Sequence, residues 1–549
     1  LFQTNLCRIC LSQRDQPGPE TLAAGPFEGK NDMMPNRSAD ILLQLIHTLE
    51  KSEKRHFKLY IQRSSGKADL KIVRLFDILD KMDEYDEKAV LKKMPGVTKP
   101  QLANLKTHLY KQLLAALRLL KTTVSIDLQL SEQLDYARLL YQKGLKQQAL
   151  KLLEKAKEMA KSNHKFNYLA QVISLEKKIE TLHITRSNIE RPQVLANEAA
   201  EISGHIDRVV KLSNLALLLY NWYVRYGHAR NPEDEKGIRE FFRQQLPPHP
   251  ETITDFYELL YLYQSYCWYA FIRQDFLMYY RYSQKWIDLY EKEPLMVVTE
   301  TGHYIKGMHN LLNAHFDLRN YRQFRKTLDQ FELFSRTTAS QLHDNFRIHT
   351  SIYINSARLN WHLMTGSFEE GLSLVTEIQE KLEEYALYVD PHRILVFNYK
   401  MATLYFGAGQ FDKTIDYLQK IINGPAGLRI DLQCYARLLH LMAHYEMGND
   451  SIIESLIKSV YRYMAKMKNL TVIEEEMFRF LKRSFAISPR LVKPELEHFL
   501  QKIKHLEKDR FETRAFAYLD VISWLESKVM QKPMAEVIGE KFRRSRRVG

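Results

Sequence analysis

Cysteine, glycine and proline are all scarce in this chain. Four cysteines in 549 residues cannot form the disulfide framework that staples small secreted domains. Twenty glycines and 17 prolines are few for this length, which favours long helices over sandwiches or barrels, whose many turns consume both. Long apolar runs are lacking too. The stretch 215–224 is broken by Asn221 and is too short to span a bilayer, so no membrane partner is expected. With no signal peptide visible, the expected location is cytoplasmic and reducing. Catalytic signatures are absent as well: there is no P-loop, no dinucleotide-binding glycine fingerprint, no nucleophile elbow and no H-E-x-x-H. The expected protein is therefore not an enzyme and needs no cofactor.

Aromatics are abundant, with 31 Tyr and 26 Phe, as large rings are where helices knit together. Basic residues are also in surplus, for a net charge of +14, and they are unevenly placed. Residues 51–121 hold 17 Lys/Arg against 8 Asp/Glu, and residues 541–547 hold five basic residues and no acid. These two segments account for the whole surplus. Either could meet nucleic acid or an acidic protein surface, or simply be solvated helix faces and a tail.

Residues 1–33 are rich in Gly, Pro and acids and show no periodicity. They are expected to be disordered or a non-native extension, with Met33 or Met34 as the native start. Cys7-Arg8-Ile9-Cys10 lacks the second ligand pair that a zinc site needs. Residues 34–125 read as a basic helical head. Ser38 or Asp40 is placed to cap a first helix that continues through Lys51–Lys58, and Pro95-Gly96 marks a turn.

The segment Leu134–Lys161 carries the clearest unit. Apolar residues recur at helical spacing, Gly144 breaks the run, and Ala149 and Ala156 follow at small-residue positions that let two antiparallel helices approach. Similar turns fall at Gly227, Gln274, Arg319, Gly366, Gly409 and Gly448, at intervals of 47, 45, 47, 43 and 39 residues. The interval from Gly144 to Gly227 has room for two units, with a weak turn at Thr185–Ser187. A sustained period of this length is the mark of a helical solenoid.

The Gly144–Ala149–Ala156 pattern resembles the tetratricopeptide hairpin, although the units here exceed its 34 residues. Phe324, Phe331, Tyr279 and Trp286 stand where that pattern has small residues, which should spread or tilt the paired helices. The expected fold is all-α: a right-handed α-solenoid of tetratricopeptide-like hairpins over residues 130–465. A helical cap is expected over 466–530 and a flexible basic tail over 531–549. Pro247-Pro248-His249-Pro250 is the strongest internal break, and the ring-rich stretch 256–290 is expected to pack between repeats, with any exposed rings offering a docking surface.

The resemblance implies that the first helix of each hairpin lines a concave groove. Counting the turn as position 15, position 9 points inward, and Asn221, Asn313 and Asn360 fall there. An Asn amide both donates and accepts, so it can hold the backbone of an extended peptide without reading its sequence. Lys306 and Arg358 flank these positions and could meet a carboxylate. His440 and His444 share a helix face, but the sequence singles out no third metal ligand. The expected function is a scaffold or adaptor binding a protein or peptide. The alternative is a nucleic-acid-linked regulator with a basic head and a peptide-sensing array.

Overall fold

The computed structural model describes residues 40–548 apart from 64–66, 124, 184–189, 230, 387, 425–428, 468–469, 485–486, 488, 510 and 513–517. Cys7, Cys10, Ser38 and the weak turn at Thr185–Ser187 lie outside the described residues. The chain is all-α, with no strand among the described residues, and divides into two compact units, 1–128 and 129–549.

The first unit contains α1 (Ile41–Thr48), α2 (Lys51–Arg63), α3 (Lys67–Leu79), α4 (Glu87–Lys93) and α5 (Lys99–Thr122). Asp40 caps α1, its carboxylate accepting from the amides of Leu42 and Leu43. The expected continuation of this helix through residue 51 does not occur. Leu49 turns to extended backbone, and the Glu50 amide donates to the Glu53 side chain at 3.0 Å, which starts α2 afresh. The break lets Ile46, Phe57, Ile61, Leu75, Phe76 and Leu109 meet in one core.

The second unit is a succession of hairpins: α6 (Ile126–Gln142) with α7 (Lys146–Ser162), and α8 (Phe166–His183) with α9 (Arg191–Tyr226). After α10 (Pro232–Gln245) come α11 (Phe256–Ile272) with α12 (Phe276–Lys292), then the short α13 (Leu295–Thr299), and α14 (Thr301–Asp317) with α15 (Tyr321–Phe334). Next are α16 (Thr338–Gln341) and α17 (Asp344–Thr365), whose return strand of the hairpin is split into α18 (Phe368–Leu372) and α19 (Val375–Glu384). The pairs α20 (Pro391–Gly407) with α21 (Phe411–Ile422) and α22 (Ile430–Glu446) with α23 (Asp450–Lys466) follow. The chain ends in α24 (Val472–Ser484), α25 (Pro489–Lys504), α26 (Val521–Met530) and α27 (Met534–Val548). Successive helices pack on one another throughout, as in a helical-repeat protein.

All seven turn positions read from the sequence adopt left-handed backbone, with φ between 52° and 79°. At Gly144, Gln274, Arg319, Gly409 and Gly448 the following amide closes a Schellman loop onto the carbonyl five residues back, at 2.8–3.1 Å. At Trp286 the large residue is accommodated by a small one on the neighbouring helix. Trp286 is fully buried, and the neighbouring helix presents Gly307, where an added Cβ would lie 3.1 Å from the indole nitrogen. Ring stacks knit the aromatic segment between helices, among them Phe242 on Tyr269 at 4.1 Å and Tyr266 on Tyr282 at 4.0 Å.

The last helices fold back across the array. Its main core runs from Ile287 on α12 to Ile538 on α27. Trp524 Nε1 donates to Glu446 at 2.6 Å, and the stretch expected to be a flexible tail is α27, whose Phe542 ring lies 4.9 Å from Tyr321 and 5.8 Å from Trp361. Phe542, Val537 and Ile538 give this basic stretch an apolar face, which is why it docks. Gly366 makes the approach possible: its φ is +75°, and an added Cβ would sit 2.6 Å from the Ala535 carbonyl. Gly366→Ala is expected to cost about 1–3 kcal/mol from overpacking and left-handed strain. Amide exchange over 534–548 should accelerate, and unchanged protection there would refute the docking role.

Candidate functional site

One cavity of about 560 Å³ lies within the second unit. Its wall is built by the first helices of successive hairpins, α11, α14, α17, α20 and α22, together with α9. Tyr518, Asp520, Met534 and Ile538 of the returning C-terminal segment complete it. The segment is held there by the Tyr518 hydroxyl against Arg429 at 3.0 Å and by the Tyr399 hydroxyl, which donates to the Tyr518 carbonyl at 3.0 Å. The volume is in the range of ordinary ligand sites.

The cavity holds Asn313 and Asn360 but not Asn221, which is solvent-exposed one residue away from Tyr220 on the lining face. The offset counted from Gly227 fails for a local reason. Gly227 ends α9 at ψ −141°, unlike Gly366, which ends α17 in the αL conformation at ψ 11°. Asn360 is 3% exposed, and its Oδ1 has no hydrogen-bond donor among the described residues. Asn313 Nδ2 lies 3.1 Å from His309 Nε2, and the His309 ring stacks on Tyr353 at 4.0 Å. Lys306 also lines the cavity, whereas Arg358 is turned away into an ion pair with Glu332 at 2.8 Å.

Sequence reasoning missed Arg393, Lys400 and Arg429, which line the same cavity. The signal was available: Arg393, Lys400 and Thr403 recur on one face of α20, a helix otherwise filled with apolar residues. Burial pushes the Lys400 ammonium down to about 7, with Asp317 opposing the shift and Arg393 adding to it. Burial pushes the Asp317 carboxyl up to about 7, opposed by Arg319 and Lys400. Burial, then Arg393, Lys400, Lys306 and His392, hold His309 well below the ordinary imidazole range, so it is neutral at pH 7.

No family model matches the chain, and no curated protein or solved structure matches it either.

Away from the cavity, His205 Nε2 lies 2.9 Å from Asp255 and 3.9 Å from Glu258. Arg208 already occupies Glu258 at 2.9 Å and Asp255 caps α11, while neither ring nitrogen of the buried His205 has a hydrogen-bond partner among the described residues. The His440 and His444 rings meet edge to face with centroids 4.6 Å apart, and no carboxylate or thiol joins them in a metal-holding group among the described residues. Cys267 and Cys434 are both buried. In the first unit Lys54, Lys58, Lys99, Lys106 and Lys121 pair with Asp80, Asp77, Glu87, Asp40 and Glu53. No helix among the described residues is long and apolar enough to cross a membrane.

Proposed function

We propose that this chain is a non-catalytic binding scaffold of tetratricopeptide-like type. In this reading the hairpins form a right-handed superhelix whose concave face holds a peptide segment of a protein partner in the cytoplasm. The observation that carries it is Asn360, a buried carboxamide on the cavity wall whose acceptor oxygen has no donor among the described residues. A buried acceptor left unmade costs about 1–3 kcal/mol, and a backbone N–H of a bound peptide would recover it. Asn313, one hairpin earlier on the same wall, supplies a second amide.

The test is panning of a random-peptide library on immobilised full chain. The wild type should enrich a peptide family. The double variant Asn313→Ala/Asn360→Ala should lose at least tenfold of its affinity for those peptides while keeping its helical circular dichroism. Equal binding by both proteins would remove these asparagines from the site, and no enrichment by the wild type would remove the peptide reading itself.

A further inference from the structure

The chain treats its buried cations in two ways. Arg429 is clamped by both oxygens of Asp431, and Lys157 is held by Glu176 and Glu198 at 3.0 and 2.7 Å. Lys306, Arg393 and Lys400 receive no such partner. Lys306 Nζ lies over the rings of Tyr220 and Trp268, at 5.4 and 5.8 Å. The Arg393 guanidinium donates to the Tyr353 hydroxyl at 2.6 Å and lies 4.6 Å over that ring. Lys400 donates to the Ser356 hydroxyl at 2.6 Å. None of the three has a carboxylate within ion-pair distance among the described residues.

These side chains come from two inner helices, α14 and α20, and line one cavity. Arg393 and Lys400 are two helical turns apart on the same face. The other charged groups lining the cavity make no ion pair with them among the described residues. Asp520 lies 3.9 Å from Arg319, Arg429 is paired with Asp431, and the buried Asp317 opposes the depression of Lys400 without reaching ion-pair distance of it. His228, His309 and His392 also line the cavity, and burial first, then the neighbouring cations, depress both His309 and His392, so neither offsets the charge. Three cations collected in one low-dielectric cavity repel one another, and unpaired buried charge is costly. The arrangement is that of a receptor lacking its counter-charge.

We infer that the cavity seats an anionic group of its ligand, a carboxylate or a phosphate, between Lys306, Arg393 and Lys400. This rests on the reading of the cavity as the binding site and names the chemistry it takes. The rings of Tyr220, Trp268 and Tyr353 limit access of water to the ion contact, and Asn313, two turns along α14 from Lys306, and Asn360 on α17 are left for the uncharged part of the ligand.

Calorimetric titration of the full chain at low salt tests it. The probes are tetraglutamate with a free C-terminus, inorganic pyrophosphate, and tetraglutamine amide as the neutral control. One or both anions should bind at one site per chain, which of them distinguishing a carboxylate from a phosphate ligand. The neutral peptide should not compete. Lys400→Met and Lys306→Met should each weaken anion binding at least tenfold, with unchanged circular dichroism. Absence of anion binding, or binding indifferent to both substitutions, overturns the inference. If library peptides bind in an Asn360-dependent way and neither anion displaces them, the anion seat falls and the peptide groove stands. If an anion binds in a Lys400-dependent way and no peptide is ever enriched, the anion seat stands and the peptide groove falls.

Discussion

Lys400→Met is expected to stabilise the folded protein at pH 6, by up to on the order of 4 kcal/mol. The ammonium has an ordinary value of 10.5 and sits at about 7 in the folded state, because burial strips its water. Below pH 7 both states hold the proton and the folded state bears the full desolvation cost. Between pH 7 and 10.5 the unfolded chain keeps a proton that the folded chain has released, so wild-type stability rises with pH across that window. The advantage of methionine should therefore be largest at or below pH 7 and shrink towards pH 10. Loss of the bond to Ser356 subtracts about 1 kcal/mol, too little to change the sign. Asp317 has the opposite dependence. Its carboxyl rises from an ordinary 3.8 to about 7, so folding loses stability as pH climbs from 4 to 7, and the benefit of Asp317→Asn should grow over that interval. Melting temperatures of the three proteins from pH 5 to 10 decide the matter. A Lys400→Met variant less stable than wild type at pH 6 would show that the ammonium is paired in the folded state. A gain in stability accompanied by loss of anion binding would be the signature of a charge retained for a ligand.

Trp286→Ala should destabilise the second unit by about 3–5 kcal/mol, the range for removing a fully buried indole. The cost should lie at the upper end because the facing residue is Gly307, which has no side chain to relax into the space. Trp286→Phe keeps most of the volume and should cost markedly less. Urea unfolding monitored by circular dichroism measures both. A loss below about 1 kcal/mol for the alanine variant would mean that α12 and α14 close the gap by moving together.

The turn residues show how far local chemistry reaches. A left-handed position between two apolar-periodic segments is a constraint each residue meets within its own six-residue loop, so Gly144, Gly409 and Gly448 announce themselves, and even Gln274 and Arg319 can be placed by interval. Asn313 and Asn360 line the cavity at the position that the same count assigns them. Asn221 escapes it because Gly227 terminates α9 differently. Trp286 reads as an intruder at a small-residue position until Gly307, 21 residues on, is seen to make room.

From sequence alone, the helices, the left-handed turns and the near-45-residue rhythm were determined, since each depends on interactions within a turn or between neighbouring helices. The tertiary structure decided the rest. It brought Lys306 to Arg393 and Lys400, folded Phe542 back onto Tyr321 and Trp361, and closed the cavity with Tyr518. These partners are about 90 to 220 residues apart along the chain, so no periodicity relates them. What joins them is the burial of apolar faces that single hairpins leave uncovered, and that burial also leaves the three cations lining one cavity with no carboxylate at ion-pair distance among the described residues.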